Sequence, residues 1–184
     1  TPKVKLKRQD YLEEGVYPIV SQEADLISGY WNDSMALMNI ERPVVVFGDH
    51  TCCLKYVDFD FVVGADGTKV LQPSSGISAK FLYYALRSQP VQQSGYARHF
   101  KRLRETDVPD LSMSEQKRIT DHLCQFEAEC GQLAKEYDAK LADIAREADA
   151  SVIYLIGPDG RATPASPSPG RPLCRGSGSL GCVN

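Results

Sequence analysis

Residues 112–150 constrain the rest of the chain more than any other stretch. Their apolar positions are Ile119, Leu123, Phe126, Cys130, Leu133, Tyr137, Leu141, Ile144 and Ala148. These recur at alternating steps of three and four, with one extra residue at the Tyr137–Leu141 step. That is the seam of a heptad helix carrying a single stutter. Charged residues such as Glu115, Lys117, Asp121, Glu129, Lys135 and Asp138 fill the positions between. The competing reading is an amphipathic helix folded on its own domain, but globular helices average about 11–12 residues. The pattern therefore predicts one arm of a helical pair, with the seam from Ile119 to Ile144 as the pairing surface. Ser112-Met113-Ser114-Glu115 has the spacing of a capping box and marks the helix start. Roughly 36 helical residues would span about 54 Å, so the arm is a spacer as well as an interface. Gly131 within it costs about 1 kcal/mol relative to alanine.

The charge pattern supplies the second constraint. The formal net charge is −3, which does not suggest a nucleic-acid binder. Its distribution says more. Residues 114–150 hold five Lys/Arg against nine Asp/Glu, whereas residues 87–104 hold five cations (Arg87, Arg98, Lys101, Arg102 and Arg104) and no acid. Within that run, cations interleave with aromatics from Tyr96 to Arg104. Lys and Arg neutralise phosphates, and Arg can also grip a guanine edge bidentately. The candidate DNA contacts are therefore Arg98, His99, Lys101, Arg102 and Arg104, joined by Lys55. Tyr30 and Asn32 are weaker candidates for a second contact, since Trp31 beside them reads as core. The competing reading of the run is a solvated basic face.

Before the helix, short β signals dominate. Strands are predicted at residues 16–20, 43–47, 54–57 and 60–63, and Pro18 suggests a sheet edge or a strand start. Residues 28–33 read as a turn, and 35–40 are ambiguous between helix and strand. Asp66-Gly67 signals a hairpin between residues 61–63 and 68–71. A helix is predicted over 77–88 and a turn or short helix over 90–95. From Gly157 onward, 15 of 28 residues are Pro, Gly or Ser, a composition that predicts disorder. The short apolar run 152–156 before it has no assignment. The expected fold class is α+β: a small mixed-sheet domain over residues 1–111 with flanking helices, a long coiled-coil-forming helix over 112–150 and a disordered tail over 151–184.

Catalytic signals are weak. His50, Cys52 and Cys53 offer at most three ligands in four residues, too few for a structural zinc site. Asp49, Asp58, Asp60 and Asp66 lack calcium-loop spacing and read as turn and strand-end acids. No Gly-rich phosphate loop is present, and neither a catalytic residue nor a metal site is predicted. The six cysteines follow no framework. With no apolar run near the ~20 residues a membrane span needs and no signal segment, reduced thiols in the cytoplasm are expected.

The order of features resembles a known family. Tyr17-Pro18-Ile19-Val20 is followed by Val44-Val45-Val46-Phe47-Gly48-Asp49-His50-Thr51, then Phe61-Val62-Val63 and Leu71-Gln72-Pro73. Phe81-Leu82-Tyr83-Tyr84-Ala85-Leu86 comes next, and Val108-Pro109 with Glu115-Gln116-Lys117-Arg118-Ile119 closes the match. Over residues 10–145 this looks like one target recognition domain, with one spacer helix, of the specificity (S) subunit of type I restriction-modification systems. Its most specific part is Glu-Gln-Lys-Arg-Ile opening a long helix after a Val-Pro strand. Only one proline leads into the helix here, and the turn at Gly48 runs on as Asp49-His50-Thr51-Cys52-Cys53 where a second glycine is common in the family.

The resemblance implies a non-catalytic subunit that reads double-stranded DNA for phage defence. It also implies modification (methyltransferase) subunits carrying S-adenosylmethionine, and a restriction subunit in the full complex. The family's members carry two such domains, each reading half of a split target, and two antiparallel helices. This chain is then expected to be a fragment or half-subunit, completed by a second half or as a homodimer through its helix. A specificity chain of a related type II system is a near alternative. Two readings from other classes stay open: a thiol enzyme using His50 with Cys52 or Cys53, and a plain coiled-coil interaction module.

Overall fold

The computed structural model describes residues 6–92, 95, 97–150, 154–156 and 162–164. Its elements are β1 (Tyr17–Val20), β2 (Gly29–Trp31), β3 (Leu37–Met38), β4 (Val44–Gly48), β5 (Leu54–Val57), β6 (Phe61–Val63), β7 (Thr68–Leu71), α1 (Ala79–Ser88), α2 (Phe100–Leu103), α3 (Met113–Ala150), β8 (Tyr154–Ile156) and β9 (Ala162–Pro164). The chain forms two compact units, Thr1–His122 and Leu123–Val183. Mixed sheets followed by a long helix make the fold α+β, as expected.

The first unit stacks two small sheets, ordered β2-β1-β6-β3 and β5-β4-β7. The apolar run at β4 explains the stacking. All five of its residues are buried, which requires cover on both faces. Val44 and Val46 join Val20, Val57, Phe61 and Val63 in a core between the sheets. Val45 and Phe47 point the other way, into a cluster with Leu86 of α1 and Leu103 of α2. The outer face of the first sheet is closed by Leu6, Ile19, Ala36 and Val62, against which Tyr11, Tyr17 and Trp31 pack. The second sheet thus carries α1 and the basic segment on its back.

Several expectations need correction. Residues 28–33 are no turn: Gly29–Trp31 is a strand, pairing antiparallel with Tyr17–Ile19. The Asp66-Gly67 pair makes no hairpin between its flanking strands. Both edges of β6 are taken by β1 and β3, so β7 pairs with β4 in the other sheet. Gly67, at φ +80°, turns the chain between the two, and a Cβ there would lie 2.7 Å from Gln22 Oε1. Pro18 sits near the start of a strand with neighbours on both sides, but its own pairing is only to Tyr30 on β2. The parallel ladder to β6 begins at Ile19, so the missing N–H disrupts nothing. The ambiguous residues 35–40 split between a 3-10 turn at Ser34–Ala36, capped by Asp33, and β3. Val108-Pro109 is irregular rather than a strand. Of the tail, Tyr154–Ile156 and Ala162–Pro164 pair as antiparallel strands, where disorder was expected. The rest of that expectation lies outside the described residues.

The helix start is built as its sequence specifies. Ser112 Oγ accepts from the Glu115 amide at 3.3 Å, and Glu115 Oε2 accepts from the Ser112 amide at 3.0 Å. Hydrogen bonds from the Ser112 hydroxyl and amide hold the Glu115 carboxyl below its ordinary pKa. The next residue, Gln116, is 1% exposed. Its amide oxygen accepts from Ser78 N at 2.9 Å, and its nitrogen donates to the Gly76 and Leu111 carbonyls at 2.7 and 2.8 Å. Those bonds tie the first turn of α3 to the loop that starts α1. Gln116→Leu is expected to strand these three backbone groups and lower stability by on the order of 3 kcal/mol. Urea unfolding of the full chain checks this, and an unchanged midpoint would show that water replaces the bonds.

Candidate nucleic-acid interface

The basic segment is short, and its geometry comes from elsewhere in the fold. Phe100 and Leu103, one helical turn apart on α2, pack into the cluster behind the second sheet. That turns Lys101, Arg102 and Arg104 to solvent, and Arg98 is exposed as well. Four cations of the predicted set therefore share one exposed stretch. Arg102 is steadied by a 3.2 Å bond from Nη1 to the Gln92 carbonyl. Beside it, Gln89, Val91, Glu105 and Asp107 line an open groove of about 550 Å³.

His99 and Lys55, also expected among the DNA contacts, are buried at 1% and 5% exposure. His99 donates its backbone amide to the Asp49 carbonyl at 2.8 Å, and its Nδ1 lies 3.1 Å from the same oxygen. A carbonyl only accepts, so Nδ1 carries the proton. Lys55 reaches inward from β5 to the Ser21 and Asp25 carbonyls, at 2.8 and 2.5 Å. Burial pushes its ammonium below the ordinary lysine pKa, against the pull of Cys53, Asp25 and Glu23. Both side chains are spent inside the protein: Lys55 pins the loop between β1 and β2, and His99 pins the basic segment. Alternation along β5 is the physical reason for Lys55. Its neighbours Leu54 and Tyr56 are half-exposed, while Lys55 and Val57 are buried.

Tyr30 and Asn32 belong to a different region. Tyr30 is half-buried on β2, one of the two edge strands of the first sheet. Asn32, just beyond, is exposed, and its Oδ1 accepts from the Val16 amide at 3.1 Å.

Asp49 does the local organising. It lies just after β4 and is 2% exposed. Its Oδ1 accepts from the Phe100 amide at 2.9 Å, and Lys69 Nζ stands 3.6 Å from its Oδ2. Burial alone would raise this carboxyl's pKa. The Phe100 amide, Lys69, the His99 amide and His50 outweigh that and hold it below the ordinary carboxylate value. Lys69 also sits 5.4 Å from the centre of the Phe100 ring. Sequence reading placed Asp49 in a turn and missed this role, as it missed Lys69. The partners lie 20 and some 50 positions away, beyond any local signal. Gln116 did leave a trace: it precedes Ile119 by three positions and so continues the seam backward with a polar residue.

On α3, Ile119 is half-buried. Leu123, Phe126, Leu133, Tyr137, Leu141 and Ile144 are exposed large apolar residues, and Cys130 is exposed with them. The buried positions of the first turns are Gln116, one step back along the seam, and Thr120, the residue after Ile119. The side chain of Ala148 lies outside the described residues. Among the described residues, no group of His, Cys, Asp and Glu is placed to hold a metal ion, and no helix is long and apolar enough to cross a membrane.

No family model and no solved structure matches the chain. Among curated proteins it is similar to the specificity subunit of the Escherichia coli type I restriction enzyme EcoR124I/EcoR124II. The two are 25% identical over 151 residues, covering 75% of this chain and 37% of that relative. The chain thus spans little more than a third of the relative's length, and it is a distant relative of that specificity subunit.

Proposed function

We propose that the chain is a DNA sequence-recognition module of a type I restriction-modification specificity subunit. The observation that carries this reading is the exposed cation stretch Arg98, Lys101, Arg102 and Arg104, held in an acid-free segment. The similarity to a type I specificity subunit supports it. In this reading the cations seat the domain on phosphates and one or two side chains read base edges. Tyr30 and Asn32 form a second, weaker contact on the other sheet. The module reads one half of a bipartite target and catalyses nothing itself. Methylation falls to partner subunits that bind S-adenosylmethionine, and cleavage to a restriction subunit, in the cytoplasm. Residues 1–111 form the reading domain and 112–150 the spacer. The exposed seam of α3 pairs with a second such helix, from another half or a second copy, because water-exposed seams of this length are stabilised by burial. Selection from a pool of randomised DNA duplexes tests the function. A short recurring sequence among the bound duplexes is expected, and recovery of an unbiased pool would refute the reading.

A further inference from the structure

We propose that the Asp49–His50 turn is a positioning clasp for DNA binding, fixing the backbone of residues 97–100 so that Arg98 and Lys101 present their charges in one set geometry. The inference rests on the DNA-binding reading above. A four-residue helix such as α2 has no stability of its own, and His99 at its N-cap provides no side-chain cap. A run of cations without acids also repels itself. Something outside the segment must hold it.

Two adjacent residues do so. Asp49 Oδ1 takes the Phe100 amide at 2.9 Å, and the Asp49 carbonyl takes both the His99 amide and the His99 ring at 2.8 and 3.1 Å. His50 Nδ1 lies 3.1 Å from the Ala97 carbonyl, so here too the ring donates. The turn itself is anchored: Asp49 donates its amide to Gly67 O at 2.8 Å, and the preceding β4 is buried throughout. Lys69, opposite Phe47 in the register and partly exposed, answers the Asp49 charge from β7. The carboxylate is therefore compensated within the protein, and the cations outside keep their charge for a ligand. Holding them in place beforehand removes ordering cost from binding.

The sign of one mutation separates this from a plain electrostatic view. Deleting an acid beside a cationic face should, on charge alone, strengthen DNA binding. A clasp predicts the opposite. The full chain is titrated with a mixed-sequence DNA duplex at several salt concentrations. Asp49→Ala is expected to bind about tenfold more weakly, with a shallower salt dependence, since one charge-assisted bond and its geometry are lost. Asp49→Asn is expected to recover most of that loss, because its amide oxygen still accepts from Phe100. His50→Ala, which removes the ring's bond to the Ala97 carbonyl, is expected to weaken binding about threefold without shifting thermal unfolding. A folded Asp49→Ala chain that binds as tightly as the parent, or more tightly, overturns the proposal. Should that variant not fold, unchanged affinity in His50→Ala overturns it. Weakening by charge reversal at Arg98 and Lys101, without effect from either turn variant, leaves the DNA reading standing and removes the clasp. Absence of duplex affinity in the parent chain removes both.

Discussion

Reversing Arg98, Lys101 and Arg102 to glutamate together is expected to lower affinity for duplex DNA at least about a hundredfold near 0.1 M salt. All three are exposed, and the segment is anchored inward by His99, Phe100 and Leu103. The fold should therefore survive, with circular dichroism and thermal unfolding close to those of the parent. The salt dependence is the diagnostic part. For every phosphate the variant no longer neutralises, the slope of log affinity against log salt should become shallower by roughly 0.9. A weakened complex with the parental slope would mean that the three side chains do not act by neutralising phosphates. Affinity unchanged at every salt concentration would place the DNA-binding surface elsewhere.

Phe126→Glu combined with Leu133→Glu is expected to abolish pairing through the long helix. The two residues are 64% and 67% exposed in the single chain, so the substitutions cost the isolated fold little. In a helical pair they would sit in the buried seam, where each charge would have to be desolvated. A loss of at least about a hundredfold in association follows from two such positions at roughly 1.4 kcal/mol or more each. Analytical ultracentrifugation of parent and variant gives the answer, and a variant that associates like the parent would show that the seam is not the pairing surface. The stutter at Tyr137 adds a register to this picture, because the seam shifts phase at that step.

The sequence shows some of this architecture directly and hides other parts for physical reasons. The helix start was legible because a capping box is local chemistry, written within four residues and built from Ser112 and Glu115. β4 was legible because a strand covered on both faces must be apolar throughout. Pairing was not legible. The Asp66-Gly67 signal is sound turn chemistry, yet which strand β7 joins depends on β1 and β3 having claimed both edges of β6. Positive charge in the basic segment was read correctly as a pattern, but burial was not. Lys55 and His99 look like candidate contacts in sequence, and only the facing of a strand and a helix start decides which side chains turn inward. The part of the site hidden most thoroughly is its anchor. Asp49 is a common turn residue until Phe100 and Lys69 are folded against it.

Sequence-specific DNA recognition on behalf of a methyltransferase is tested most directly by selection from randomised duplexes. The chain is purified, and bound duplexes are recovered and sequenced over successive rounds. A recognition module should enrich a short recurring word at fixed positions, lost when Arg98, Lys101 and Arg102 are reversed. A pool that stays random through every round, with duplexes retained only by charge, would contradict that role.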